Sequence, residues 1–392
     1  MNRDIKIPCV IILISEIMDR RRYLKGVVLG AGTAGLSGCL GGNDSTSNSS
    51  GGNGSGSGGS GGNGSSGGSG GGATQIAIIS SPAGFGDNAF NDNALMGLKD
   101  ASDNYNIKVN QVEETDPSNY ESVQANLAQE GSYGVIVLVA SEHLNALEQN
   151  ASDYPDQNWM LINDYVDQPN VSGWIAANNQ MSFLAGVLAG TMTTEQLDHK
   201  GGSTTPNTAQ VGFVGGQDTN FINTYERSYA EGAQWVNENV KVNAGYAGSF
   251  SDASAAANIA NSQYDNGADI IYHAASAAGT GVFSAAQNKG RFAVGVDVDQ
   301  SQTQPDYKDV IIGSGVKHLN ESTQTVAEAA AQGKFKSVTG QNRLTIDNKG
   351  VDVVIGKAFK NNLPDVISKK IDQAKKGLSN GDIELSCGPT GC

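Results

Sequence analysis

The chain has 392 residues, with 25 Lys or Arg and 40 Asp or Glu, and a formal net charge of −15 at pH 7. The first 38 residues hold 6 of the basic and 3 of the acidic residues, so the remainder holds 19 basic and 37 acidic residues, a net charge of −18. This charge excludes nucleic acid and anionic lipid surfaces as binding partners. Strong brine screens such self-repulsion, so we expect a halophilic archaeal source, with an ordinary acidic surface as the alternative.

The N-terminal segment resembles a twin-arginine export signal. Asp19–Lys25 places consecutive arginines, an aromatic residue, Leu and Lys before a weakly apolar stretch at 26–35. Leu36–Cys39 then resembles a lipobox, in which the cysteine receives the lipid. The alternative is a membrane anchor, but a span needs about 20 continuous apolar residues and this segment has about half that number. We expect residues 1–38 to be the signal, and a lipid on Cys39 to hold the exported protein at the outer face of the cytoplasmic membrane.

The next segment, from Gly41 to Gly72, consists almost wholly of Gly, Ser and Asn. Such a tract cannot bury apolar surface, and its random-coil reach over about thirty residues is on the order of 30 Å. We therefore expect residues 39–73, including the lipidated cysteine, to tether a monomeric folded part above a membrane.

From Thr74 onward, short apolar runs alternate with amphipathic ones, which predicts parallel sheets covered by helices. The predicted strands are Ile76–Ser80, Ile107–Val112, Gly134–Val139, Trp159–Ile162, Val211–Val214, Gly245–Phe250, Asp269–His273, Phe292–Val296 and Val310–Gly313. The predicted helices include Ala94–Ala101, Tyr120–Gln129, Gln180–Met192, Tyr225–Asn239 and Ala253–Asn266.

The length of this part, about 320 residues, exceeds one ordinary core, so we expect two α/β lobes, each a parallel sheet flanked by helices. Ligands bind beyond the carboxyl ends of strands in such sheets, which predicts a ligand cleft between the lobes. We expect lobe 1 at 74–178 with a returning segment near 300–325. Lobe 2 is expected at 179–297 with much of 326–392.

The first candidate site follows the first predicted strand, at Gly86–Asn91. An aromatic ring and polar side chains at a strand's carboxyl end can stack on a flat heterocycle and hydrogen-bond to it. These roles would fall to Asp87, Phe90 and Asn91. The alternative is that Asp and Asn cap a helix while Phe90 belongs to the core.

Two carboxylates and one ammonium group follow later strands. Asp164 can accept hydrogen bonds from ligand N–H or O–H groups, although a surface turn would also place an Asp there. Asp297 follows the strand Phe292–Val296, and a carboxylate can accept from both vicinal hydroxyls of a ribose. Lys317 can keep Asp297 in its charged form or donate to a sugar oxygen.

The small residues of Ala274–Gly281 suggest a close approach of backbone to ligand. Gly279 and Gly281 invite comparison with a phosphate loop, but the segment lacks both GxGxxG and the Lys of GxxxxGK[ST]. We instead expect Ser276 to face the ligand. Tyr272 would offer a second ring opposite Phe90, with packing in the sheet as the alternative.

The residues that catalysis or metal binding would need are not suitably spaced. The four histidines are His143, His199, His273 and His318. They form no HExxH or paired-ligand motif, and the predicted folded part contains no GxSxG elbow. Cys387 and Cys392 do not form a CxxC zinc motif, but they could close a small disulfide loop in an oxidising exterior. We expect no enzyme activity, no metal and no cofactor.

Taken in order, these segments resemble the basic membrane lipoprotein family, also called the purine nucleoside receptor A-like family. The matching segments are Gly86–Asn91, Ser182–Gly186, Val211–Gly216, Gly248–Asp252, Gly295–Gln300 and Ser314–Lys317. The resemblance covers about 75–360. It implies a type I periplasmic-binding-protein fold and delivery of purine nucleosides or related solutes to the permease of an ABC transporter.

The resemblance also implies roles for individual residues. The matching positions are Phe90 and Tyr272 for two rings that sandwich the base, Asp164 and Asn91 for the base edge, and Asp297 and Lys317 for the ribose. Asp87 and Ser276 complete the expected ligand-binding set. The chain departs from the family at Ala275–Gly279, where Ala-Gly-Gly-Thr-Gly is usual, and at Asn220 and Tyr225, where Pro and Phe are usual.

The combined prediction is an extracytoplasmic solute-binding lipoprotein. It would capture a nucleoside by hinge closure and pass it to an ABC permease. One alternative is a sugar or autoinducer receptor of the same fold, because rings that stack on pyranose faces look similar in sequence. A sensory receptor without transport is the other.

Overall fold

The computed structural model describes residues 72–206 and 208–392. The export signal, the lipobox with Cys39 and almost all of the predicted tether lie outside these residues. Among the helices that the structure describes, none is long and apolar enough to cross a membrane.

Strands and helices alternate along most of the described chain. The strands are β1 (Thr74–Ile79), β2 (Ile107–Val112), β3 (Tyr133–Leu138), β4 (Trp159–Ile162), β5 (Val171–Ala176), β6 (Asp198–His199), β7 (Gly202–Ser203), β8 (Gln210–Gly215), β9 (Lys241–Tyr246), β10 (Ile270–Ala274), β11 (Phe292–Asp297), β12 (Ile311–Lys317), β13 (Gly340–Leu344) and β14 (Val351–Ile355). The α-helices are α1 (Phe90–Asn104), α2 (Tyr120–Glu130), α3 (Leu144–Asp153), α4 (Asn178–Thr194), α5 (Asn220–Val236), α6 (Ala253–Asp265), α7 (Thr280–Lys289), α8 (Gln300–Thr303), α9 (Leu319–Ala331) and α10 (Asp365–Asn380).

Two six-stranded sheets define two α/β lobes. The first sheet has the order β13-β5-β4-β3-β1-β2 and all its pairs are parallel. The second has the order β14-β12-β11-β10-β8-β9, in which only β14 runs antiparallel to its neighbour. The expected α/β class with two helix-flanked parallel sheets is confirmed.

The segment that returns to the first lobe differs from the expected one near 300–325. Ile311–Lys317 pairs with β11 and therefore belongs to the second sheet. The return begins afterwards, because α9 packs on α1 and β13 adds to the free edge of β5. β14 then goes back to the second sheet beside β12.

Three chain segments thus cross between the lobes. The first lies between β5 and α4, the second between β12 and α9, and the third between β13 and β14. They run side by side, since the Ala177 N–H donates to the Leu344 carbonyl at 2.7 Å and the His318 N–H donates to the Gly350 carbonyl at 3.0 Å. Three adjacent crossovers form the only covalent link between the lobes within the described residues.

The core follows from the apolar strands and from close helix packing. Every residue of β12 and β11 is buried, as expected for strands covered on both faces. Helix α4 is buried on nearly all sides because it packs on both α5 and the second sheet. Its approach to α5 depends on glycine, since a Cβ on Gly232 would lie 2.0 Å from the Phe183 carbonyl oxygen.

Candidate functional site

A cavity of about 350 Å³ lies between the carboxyl ends of the strands of the two sheets. This volume is near the lower end of the range of about 300–1,000 Å³ for small-molecule sites. The first lobe contributes Ser81, Pro82, Ala83, Phe90, Ala140, Ser141, Glu142 and Asn163. The second lobe contributes Gln217, Thr219, Phe221, Ile222, Tyr225, Phe250, Ala274, Ser276, Val296, Asp297 and Lys317.

A buried ion pair forms the base of the second-lobe wall. Asp297 ends β11 and Lys317 ends β12, and the neighbouring strands bring Lys317 Nζ to 3.0 Å from Asp297 Oδ1. Apart from this ion pair, Asp297 Oδ1 has no hydrogen-bond partner among the described residues. The ammonium donates to the Tyr225 hydroxyl at 2.9 Å and to Asn178 Oδ1 at 3.3 Å. The carboxylate therefore keeps acceptor capacity for a ligand.

Burial shifts the pKa values of two side chains in this wall, Asp297 and Tyr225. It raises the pKa of Asp297, and the positive charge of Lys317 opposes that rise. The pKa of Tyr225 lies well above its usual value, chiefly because the phenol is buried and secondly because Asp297 is near. Tyr225 is thus a neutral donor, and its hydroxyl donates to Asn178 Oδ1 at 2.7 Å.

Polar groups of the first lobe form the opposite wall. Glu142 reaches solvent through the cavity although protein surrounds most of it, and this burial raises the pKa of its carboxyl group. The neighbouring His143 is buried, which lowers its pKa to about 4 and leaves the ring neutral at pH 7. Asn163 is also buried, and its Oδ1 has no partner in the described part of the chain. This wall can therefore accept hydrogen bonds as well as donate them.

Aromatic rings complete the cavity. Phe90 opens α1, and its ring lies 4.6 Å from Lys317 Nζ, a cation–π distance. From the other lobe come Phe221 on α5 and Phe250, which follows β9. Gly216 leaves the space that Phe250 fills, because a Cβ there would lie 2.3 Å from the ring.

Asp87 and Asn91 shape the loop before α1 and do not line the cavity. Asp87 accepts hydrogen bonds from three backbone N–H groups of its own loop and from Asn91 Nδ2. Asn91 is fully buried, and it accepts from the Ser81 N–H and donates to the Ser81 hydroxyl. Asp87 also accepts from the Ser276 hydroxyl at 2.8 Å, which joins the two lobes beside the cavity.

Four of the eight expected ligand contacts do not line the cavity: Asp87 and Asn91, which shape the start of α1, and Tyr272 and Asp164. Tyr272 is fully buried inside the second sheet, where its ring packs against Tyr229 and its hydroxyl meets Ser182, so it cannot stack on a ligand opposite Phe90. Asp164 does not line the cavity and accepts from the Tyr165 N–H, while the preceding residue, Asn163, lines it. The other expected residues, Phe90, Ser276, Asp297 and Lys317, all lie at the cavity.

Unusual backbone conformations concentrate around the cavity. Eight non-glycine residues of the described chain have positive φ. Four of them line the cavity: Ala140 at 105°, Asn163 at 74°, Ser276 at 49° and Asp297 at 70°. Each conformation costs on the order of 1–3 kcal/mol and tends to persist where function requires it. The strained backbone positions therefore lie at the same cavity as the polar side chains.

Sequence reasoning missed Glu142, Asn163, Phe221 and Phe250 as cavity residues. A usable signal existed for the first two, because each follows an apolar strand by one to four residues, as Asp297 does. For the two phenylalanines, the signal was weaker: Phe250 lies inside the matched segment Gly248–Asp252, and Phe221 lies five residues after the segment that ends at Gly216.

Comparison with known proteins agrees with this geometry. The sequence model of the Bmp family, described as ABC transporter substrate-binding protein PnrA-like, matches residues 74–385. The chain belongs to this family. The resemblance inferred from the ordered motifs is confirmed, and membership makes the protein an ABC-transporter substrate-binding protein.

Two relatives illustrate the extent of the similarity. The ABC transporter nucleoside-binding protein BmpA of Lactococcus lactis is 29% identical over 328 residues, which are 79% of this chain and 88% of the relative. Basic membrane protein A2 of Borrelia garinii is 29% identical over 244 residues, 61% of this chain and 67% of the relative.

Solved structures share the fold. An ABC transporter solute-binding protein from Aeropyrum pernix superposes with a TM-score of 0.70 at 20% identity, covering 79% of this chain and 92% of that one. A solute-binding protein from Conexibacter woesei gives 0.63 at 23% identity, covering 80% and 98%. These neighbours confirm the two-lobed α/β fold.

Proposed function

We propose that this protein captures purine nucleosides outside the cell, closes its two lobes around them, and delivers them to an ABC importer. The observation that carries the proposal is the division of the cavity. One lobe presents the Asp297–Lys317 pair, the other presents Glu142 and Asn163, and Phe90 lies between. This arrangement suits a ligand with hydroxyls at one end, a flat ring, and hydrogen-bonding edges at the other end.

The ribose would lie against the second lobe. Asp297 pairs with Lys317, and apart from this ammonium its Oδ1 has no hydrogen-bond partner among the described residues. Such a carboxylate can accept from two vicinal hydroxyls at once, and the ammonium can donate to a third sugar oxygen. A free base lacks these hydroxyls, so it should bind more weakly than its nucleoside.

The base would stack on Phe90 and meet the first-lobe wall with its edge. An Asn amide both donates and accepts, so Asn163 can pair with a purine edge that carries one donor next to one acceptor. Glu142 would accept from a ring N–H or an exocyclic amino group. Phe250 and Phe221 supply apolar surface from the other lobe.

Hinge closure follows from the placement of the ligand between the lobes. The three crossovers are the covalent links, and Ser276–Asp87 is a direct contact across the cleft. The proposed lobes are 74–176 with 319–344, and 178–317 with 351–392. A ligand that touches both walls stabilises the closed form by its differential affinity, and only that difference drives closure. A permease would then recognise the closed form.

The anchoring and location are part of the same proposal. The lipobox motif at Cys39 would carry a lipid, and the Gly/Ser-rich segment would let the folded part reach a permease in the same membrane. The protein would act as a monomer at the outer face of the cytoplasmic membrane, without enzymatic activity. The strong negative charge fits a halophilic source.

The test is isothermal titration calorimetry and thermal shift of the purified protein in molar KCl. The probes are inosine, guanosine, adenosine, their free bases, ribose, arabinose and glucose. We expect selective stabilisation by purine nucleosides, because a ligand that binds only the native state raises the melting temperature. Binding of a sugar in preference to all nucleosides would instead favour the sugar-receptor alternative. Heat and thermal shift absent for every probe would refute the nucleoside proposal.

Matched variants locate the binding site. Asp297→Asn and Phe90→Leu should each lower nucleoside affinity by at least about tenfold, or about 1.4 kcal/mol. Tyr272→Phe and Asp164→Asn change residues of the same types outside the cavity, and they should leave affinity within about twofold. Equal losses in both pairs would show that the cavity is not where the nucleoside binds.

A further inference from the structure

The C-terminal residues form a small closed loop on the second lobe. A disulfide joins Cys387 to Cys392, and within the loop the Gly388 N–H donates to the Gly391 carbonyl at 2.8 Å. Cys387 is buried, with 3% of its surface exposed. The loop lies against the N-terminal ends of α4 and α5, the helix that follows the first crossover and the helix that carries Phe221 and Tyr225.

One buried amide connects this loop to the cavity wall. Asn178 Nδ2 donates to the Pro389 carbonyl at 2.9 Å. Its Oδ1 accepts from the Tyr225 hydroxyl at 2.7 Å and from Lys317 Nζ at 3.3 Å. Asn178 is fully buried with the loop in place, so both sets of partners are protein groups. The loop is therefore two hydrogen bonds away from the ammonium that pairs with Asp297.

The direction of this amide matters. With Nδ2 bound to Pro389, the oxygen faces the ammonium of Lys317, which needs an acceptor. A flipped amide would present two N–H donors to a positive charge and to a phenol that already donates. The Pro389 carbonyl holds Nδ2 on the side away from Lys317, in the orientation that Lys317 and Tyr225 require.

The same loop also touches the helix that lines the cavity. The Cys392 N–H donates to Asn220 Oδ1 at 3.3 Å, and Asn220 is the first residue of α5. Asn179, next to Asn178, donates to the Cys387 carbonyl at 2.8 Å, whereas the hydrogen bonds of the Lys317 ammonium go to Asn178 and Tyr225. The two adjacent asparagines thus share the loop and differ in their connection to the site.

We propose that the disulfide loop 387–392 positions Asn178, and through it Lys317 and Tyr225, so that ligand affinity depends on the intact disulfide. The effect on affinity rests on the proposed function, because it takes this cavity as the nucleoside site. Without the disulfide, a segment containing Gly388 and Gly391 would sample many conformations, and the Pro389 carbonyl would no longer hold the amide. Asn178 is a positioning residue in this scheme.

The test is a double-mutant cycle on the full chain, read by calorimetric Kd for inosine, guanosine and adenosine. Cys387→Ser/Cys392→Ser and Asn178→Ala should each weaken binding by about tenfold. Combined, they should weaken it no more than the larger single effect, because both break one connected route. Asn179→Ala is the matched control: it removes the neighbouring loop bond and should leave Kd within about twofold.

A second readout needs no ligand. The ammonium of Lys317 is buried and hydrogen-bonded, so its ¹⁵N–¹H resonance should be protected from exchange, and Lys317→Met identifies it by its loss. The resonance should shift or broaden in the two loop-breaking variants and in wild-type protein reduced with dithiothreitol. It should return on reoxidation and stay unchanged in Asn179→Ala.

The outcomes separate the two proposals. Wild-type affinity in Cys387→Ser/Cys392→Ser, fully additive losses in the cycle, or an unchanged Lys317 resonance on reduction would overturn the positioning role. If wild-type protein binds none of the probes, the nucleoside proposal fails, and the resonance alone decides whether the loop positions Lys317. Circular dichroism of each variant verifies that both sheets remain folded.

Discussion

Replacing Lys317 with Met should destabilise the second lobe strongly, because it leaves a charge buried without its partner. Lys317 and Asp297 have 3% and 6% of their surfaces exposed. Removing one partner of such a pair costs about 3–5 kcal/mol. For a unit of 150–250 residues each kcal/mol shifts the melting temperature by about 2–4 °C, so the expected decrease is about 6–20 °C.

The double variant Lys317→Met/Asp297→Asn separates the buried charge from lost packing. Asn tolerates the positive φ of 70° that Asp297 adopts, so this exchange adds little backbone strain. The double variant should recover most of the lost stability. The exposed pair Lys289–Asp265 is the control, where Lys289→Met should cost no more than about 1 kcal/mol and even less in molar salt.

The pKa of Asp297 also predicts the direction in which the melting temperature changes with pH. Burial already raises the pKa of Asp297, and Lys317 opposes the rise. A carboxyl group with a higher pKa in the folded state stabilises the fold below its unfolded pKa of about 3.9, and this contribution is lost as pH rises through the folded pKa. Without Lys317 that pKa rises further, so the loss of melting temperature with rising pH should extend to higher pH in Lys317→Met than in wild type. Differential scanning fluorimetry in molar KCl measures both effects, and equal losses in the single and double variants would refute the reasoning.

Three further predictions concern packing, a second buried pair and closure. Gly232→Ala should destabilise by about 1–3 kcal/mol in chemical denaturation, because its Cβ would lie 2.0 Å from a carbonyl oxygen of α4. Arg291→Ala should cost about 3–5 kcal/mol in the same assay, because it removes the cation 3.0 Å from the fully buried Asp269; Arg291→Lys should cost less. Ser276→Ala removes the hydrogen bond to Asp87 across the cleft and should weaken ligand affinity severalfold, or about 1 kcal/mol, with melting temperature nearly unchanged.

The pattern of apolar and polar residues along the chain predicted most strands of the two large sheets. All nine predicted strands overlap observed ones, and Ile107–Val112 and Trp159–Ile162 match their observed bounds. β5 was not predicted because Ser and Gly interrupt the apolar run in its sequence, VSGWIA. β13 was not predicted because its sequence, GQNRL, is mostly polar. β14, VDVVI, is apolar and pairs antiparallel with β12, which lies more than thirty residues earlier in the chain.

The sequence by itself determined the α/β class, the family, and the positions of Asp297 and Lys317, because a polar residue after a buried parallel strand must lie at the sheet edge where ligands bind. The tertiary structure alone decided between Asn163 and Asp164. Adjacent side chains leave the backbone in different directions, and the φ of 74° at Asn163 turns that residue, and not its neighbour, toward the cavity. The tertiary structure also decided that Tyr272 is buried in the second sheet and that Phe250 lines the cavity. Such choices depend on packing between segments distant in sequence, which no local pattern encodes.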